Sequence, residues 1–138
     1  MKRLLLLLTI CVTGCNYNYE PNYIEYDYSD VDKKIAWDDI FMQVEDYYLI
    51  YFYRTTCAHC NELKQEIIKF YFDYSGALYF VEADERAVYG KPSDLTHVAS
   101  IENFYIFGTP FLIEVEKWEI KNYYAGAAKI REFITQLK

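Results

Sequence analysis

Tyr47-Tyr48-Leu49-Ile50-Tyr51-Phe52-Tyr53, followed three residues later by Cys57-Ala58-His59-Cys60, is the stretch on which the reading of this chain turns. A short, unbroken apolar run predicts a central strand covered on both faces. The residues after it predict a helix over about 57–73: Leu63, Ile67, Phe70 and Tyr74 share one face, while Glu62, Lys64, Gln65, Glu66 and Lys69 lie elsewhere. Two cysteines therefore stand where a strand hands over to a helix. A lone C-x-x-C also serves zinc sites and structural turns, and it is the strand–helix position that points to thiol chemistry.

Outward from this centre, Trp37, Ile40, Phe41 and Val44 at i, i+3, i+4 and i+7 predict a helix over about 31–45, with Ser29 or Asp30 as its cap. Residues 77–83 read as a second buried strand. Residues 84–103, holding Gly90 and Pro92, read as an irregular loop with a short helix after Ser93. Strands are expected at 111–116 and 119–124, joined by a tight turn at Lys117-Trp118. Gly126 breaks the pattern, and Ile130, Phe133, Ile134 and Leu137 stripe a last helix over about 127–137. The fold class is α/β: an early parallel strand–helix–strand unit and a late hairpin make one mixed sheet of about four strands flanked by helices. Ligands meet such sheets at the carboxyl ends of the strands, where the cysteine pair lies.

The 138 residues suit one domain, and 53% hydrophobic with 20% aromatic residues supply a core without a disulfide framework. The net charge is −7 and no Lys/Arg cluster occurs, which argues against a nucleic-acid partner.

The first residues read separately. Met1-Lys2-Arg3 is a basic start, and Leu4 to Val12 is an apolar run of signal-peptide length. Val12-Thr13-Gly14-Cys15 resembles the lipobox of bacterial lipoproteins, in which the peptide is cut before the cysteine and the cysteine is lipidated. An ordinary signal peptide or an uncleaved anchor is the alternative. The expected organisation is a signal peptide at 1–14, lipidated Cys15 with a Tyr-rich membrane tether to residue 30, and a domain at 31–138. Ile24, Tyr26 and Tyr28 alternate, so a short edge strand competes with the tether reading there. Cleavage would remove Cys11 with Lys2 and Arg3, taking the net charge from −7 to −9, and leave Cys57 and Cys60 free to pair. The expected location is extracytoplasmic, anchored to a bacterial membrane, where disulfides persist.

Residues 31–138 resemble the thioredoxin-like superfamily. The strand into Cys57-Ala58-His59-Cys60 is similar to its active-site turn, Gly108-Thr109-Pro110 before Phe111-Leu112-Ile113 to its cis-proline loop, and Gly126 with the last helix to its end. The pattern looks most like small lipoproteins and accessory oxidoreductases of Gram-positive bacteria. The resemblance implies a thiol–disulfide oxidoreductase with no cofactor beyond a redox-active Cys57–Cys60 disulfide. Cys57 is the expected nucleophile, its thiolate favoured at a helix N-terminus with Thr56 as cap, and Cys60 the resolving thiol. His59 resembles the histidine of periplasmic disulfide oxidants, and its imidazole is expected to lower the energy of the thiolate. The resemblance makes the Thr109–Pro110 bond cis and sets the Thr109 backbone opposite Cys57 for an extended substrate.

Two departures stand out. Tyr51 occupies the place of the buried aspartate of thioredoxins, and Thr56 that of their tryptophan. Glu82 is a candidate substitute for the aspartate, though a solvated strand-end acid is its plainer reading. Arg54 reads as a surface charge. Expected partners are exported protein thiols and disulfides, an unidentified redox partner and the membrane through Cys15, with the chain monomeric. Two other functions compete: a metal-handling module using Cys57, Cys60 and His59 for copper or zinc, and a non-catalytic binding lipoprotein.

Overall fold

The computed structural model describes residues 23–137. The signal-peptide and Cys15 expectations therefore lie outside the described residues.

The apolar run forms β1 (Tyr47–Tyr53), the centre of a four-stranded sheet. The other strands are β2 (Ala77–Glu82), β3 (Phe111–Glu116) and β4 (Glu119–Ala125), in the order β2-β1-β3-β4. β1 pairs in parallel with β2 and antiparallel with β3, and β3 pairs antiparallel with β4, so the sheet is mixed as expected. Lys117 and Trp118 both adopt positive φ, 51° and 66°, as two-residue hairpin turns require. Lys121 is the extra residue of a bulge, because Glu114 faces Asn122 while Val115 faces Ile120.

Two helices pack on one face: α1 (Ala58–Asp73) and α2 (Ala127–Gln136). Leu63, Ile67 and Phe70 of α1 and Ile130, Phe133 and Ile134 of α2 are buried against Leu49, Tyr51 and Leu112. Leu137, expected to complete the stripe, falls past the end of α2 and is 40% exposed. Gly126 precedes α2 at φ 89°, a conformation costly to any residue with a Cβ. Among the described residues no helix is long and apolar enough to cross a membrane.

The opposite face is covered by irregular chain. Trp37, Ile40, Leu95, Phe104 and Ile106 pack on Tyr48, Ile50, Phe52 and Phe111. The helix expected over 31–45 does not form. The amide of Ile35 donates to the carbonyl of Phe80 at 3.0 Å, and that of Phe80 to Lys33 at 2.9 Å, so residues 33–35 run extended along β2. Only a 3-10 turn, Trp37–Asp39, remains to bury Trp37 and Ile40, and Val44 is 90% exposed. In the loop before β3, the short helix expected after Ser93 is the 3-10 turn Ile101–Asn103.

The boundary expected at residue 31 falls earlier. Tyr26 exchanges two 2.7 Å hydrogen bonds with the Gln65 side chain of α1, and Tyr28, in a 3-10 turn, is buried in the core. Neither a free tether nor an edge strand describes residues 26–30. The buried Tyr28 ring and the paired hydrogen bonds of Tyr26 with Gln65 together hold this segment to the domain despite its polar composition.

Candidate active site

The end of β1 brings Arg54-Thr55-Thr56 to the surface and turns the chain into α1. Thr56 is not the cap. Cys57 itself is, with φ −89° and ψ 119°, and its Sγ accepts the amide of Cys60 at 3.2 Å. The sulfur therefore sits at the positive end of a 16-residue helix. In its protonated form the Cys57 thiol donates to the carbonyl of Thr109 at 3.3 Å, which ties α1 to the loop before β3. The Thr109–Pro110 bond in that loop is cis.

Cys57 is half-buried and Cys60 fully buried, both as free thiols. Burial opposes ionisation of Cys57. Hydrogen bonds from the Cys60 thiol, from the Thr109 side chain and from the amides of Cys60 and His59 outweigh it, and the Cys57 pKa falls below the ordinary thiol value. Burial, with the Cys57 sulfur beside it, pushes Cys60 up to about 11. The two thiols are thus divided into an ionisable, accessible one and a protonated, interior one.

His59 is placed otherwise than expected. Its side chain is 73% exposed, and Nδ1 lies 3.2 Å from Oε2 of Glu62. It serves Cys57 through its backbone amide, because the first helical turn aims amides, not side chains, at the cap. Arg54 and Glu82 are exposed, and no carboxylate is hydrogen-bonded to either sulfur among the described residues.

Beneath Cys60 lies a group the sequence reading did not assemble. Tyr28 donates its hydroxyl to the carbonyl of Cys60 at 3.0 Å, and the hydroxyls of Tyr28 and Tyr51 are 3.4 Å apart. The alternation ending at Tyr28, and Tyr51 in the place of the family's buried aspartate, are its traces in the sequence. Among the described residues, no three His, Cys, Asp or Glu side chains converge as a metal site.

No protein-family model matches the sequence, and no curated protein matches it. Among solved structures, the chain is similar to mitochondrial thioredoxin 3 of Saccharomyces cerevisiae in its oxidized form, at 17% identity and a TM-score of 0.55, over 80% of this chain and 98% of that one. Thioredoxin f2 of Chlamydomonas reinhardtii is similar at 15% identity and a TM-score of 0.54, over 75% and 93%. A thioredoxin of Nicotiana alata follows at 17% and 0.53, over 77% and 93%. These likenesses show the fold. The chain has a thioredoxin-like α/β fold, with a C-x-x-C at the start of the helix that follows its central strand.

Proposed function

We propose that this chain is an extracytoplasmic thiol–disulfide oxidoreductase, tethered through Cys15 to a bacterial membrane and exchanging disulfides with exported proteins. One observation carries the chemistry: the Cys57 sulfur is the N-cap of α1, stabilised as an anion by helix amides, with the protonated Cys60 one turn below. In the reducing direction the Cys57 thiolate attacks one sulfur of a substrate disulfide, the substrate S–S bond breaks, and the departing thiolate takes a proton. Cys60 then loses its proton and attacks Cys57 Sγ, which closes the Cys57–Cys60 disulfide and releases the second substrate thiol. The reverse sequence oxidises a dithiol.

The tether reading is supported by Val12-Thr13-Gly14-Cys15 after the apolar run Leu4 to Val12. Its test is fractionation: Cys15→Ser should move the protein out of the membrane fraction, and unchanged membrane association would remove the lipid anchor from the proposal.

The enzymatic reading is tested by disulfide reduction of insulin with wild type and Cys57→Ser. Loss of activity in the variant is the expected result, and full activity would reject the mechanism. The preferred direction follows from the reduction potential: near −120 mV marks an oxidant and near −270 mV a reductant.

A further inference from the structure

Two surface clefts, each about 480 Å³, meet at Ala125 and Lys129. The first runs against His59, Thr109 and Pro110, beside Cys57. The second, walled by Pro92, Ser93, Phe107 and Tyr123, lies under the irregular chain ahead of β3.

The walls of the second cleft are held in place. The rings of Phe107 and Tyr123 are 5.7 Å apart at 87°, and Phe107 also packs edge-on to Phe111 at 5.2 Å. The Tyr123 hydroxyl donates to the carbonyl of Ser93 at 3.0 Å, so its polar end is satisfied and its ring is left to an apolar ligand. Lys129 is the single charged residue of this lining, and no carboxylate pairs with it among the described residues.

The sheet edge beside it is open. β4 is an outer strand, and its outward backbone bonds to His97 and Val98 are both made by Ile120; beyond that residue no backbone partner lies on this edge among the described residues. Such an edge accepts an added strand. Tyr123 and Ala125 are two residues apart on one face of β4, so a strand laid beside them would place alternate side chains about 7 Å apart. One would fall at Ala125 by the cysteines, the next in the aromatic slot.

We propose that the cleft walled by Pro92, Ser93, Phe107 and Tyr123 is a specificity slot for an aromatic side chain of an extended polypeptide substrate, next to an acidic residue that meets Lys129. This rests on the oxidoreductase reading above. The experiment uses reduced wild-type protein and synthetic peptides whose single cysteine is a mixed disulfide with 2-mercaptoethanol. The peptides differ only in Phe or Ala at the second and third positions from the cysteine on either side. A preference of about tenfold in kcat/KM for Phe at one of these positions is expected from burial of a ring. Phe107→Ala and Tyr123→Ser should bring the ratio near one.

Because Phe107 also props Phe111, Lys129→Glu on the exposed rim gives a second reading. In a second pair of Phe peptides that carry Asp or Lys beside the Phe, it should reverse the wild-type preference for Asp. Equal rates for the Phe and Ala peptides, or a charge preference unmoved by Lys129→Glu, overturn the slot alone. Failure of every peptide to react sinks the oxidoreductase reading, and the slot with it.

Discussion

The hydroxyl of Tyr28 donates to the backbone carbonyl of Cys60 at 3.0 Å, joining a segment ahead of the sheet to the buried cysteine. Tyr28 stacks on Tyr53 at 3.9 Å between ring centres, and its hydroxyl faces that of Tyr51. The floor of the site is therefore phenolic. Burial, ahead of the neighbouring Tyr28 and the cysteines, pushes the Tyr51 phenol far above its ordinary range, so at neutral pH it acts as a neutral hydrogen-bonding group and not as a base.

Tyr28→Phe keeps the ring and deletes the hydroxyl that Cys60 and Tyr51 share. A loss of about 1 kcal/mol is expected, against about 3–5 kcal/mol for Tyr28→Ala, which also empties the ring's place in the core. Urea denaturation of the reduced protein measures both. A Tyr28→Ala variant as stable as wild type would contradict the docking of this segment.

Cys57 is held below the ordinary thiol pKa by hydrogen bonds that overcome its burial, the Cys60 thiol first among them. Its alkylation rate against pH should therefore show a midpoint below about 8.5, and Cys60→Ala should raise that midpoint by removing one donor. A wild-type midpoint at or above the value of a free cysteine would count against the site.

Cys60 has the opposite shift, to about 11, so the folded chain holds its proton more tightly than the unfolded chain. Its contribution to stability is fully present below the ordinary thiol pKa and is lost as pH rises through about 11. Reduced protein should lose up to about 1.4 kcal/mol per pH unit from this group across that window. Urea midpoints between these limits should fall less steeply in Cys60→Ala. Equal slopes would show that the thiol titrates normally.

Glu114 is the one buried charged residue among those described, at 5% exposure. It accepts from the Tyr47 and Tyr124 hydroxyls at 2.6 Å each and from the Asn122 amide at 3.1 Å. Glu114→Ala leaves these donors without their acceptor and should cost about 1–3 kcal/mol. The residue lies opposite Leu49, toward the end of β1 away from the cysteines, so the alkylation profile of Cys57 should not move. A shifted profile would show coupling through the sheet.

Strongly periodic elements were legible before any coordinates. The stripe Leu63, Ile67, Phe70 has helical spacing and became α1, while the unbroken run Tyr47–Tyr53, aromatic-rich and too short for a buried helix, became β1. The segment over 31–45 misled because Trp37 and Ile40 meet the helical spacing in a single turn, while backbone bonds to Phe80, a residue 40 positions away from Ile40, hold the preceding residues extended. Thr56 looked like a cap by residue type, yet the cap geometry and the hydrogen bond belong to Cys57.

What the sequence determined by itself was local: which stretches are strand or helix, and that two thiols stand one turn apart at a helix start, because periodicity and spacing are properties of neighbouring residues. Tertiary structure alone decided what surrounds them. It set the Thr109 carbonyl 3.3 Å from the Cys57 sulfur and brought Tyr28 under Cys60. Each of these depends on packing free energy between segments distant in the chain, and no pattern within one segment encodes it.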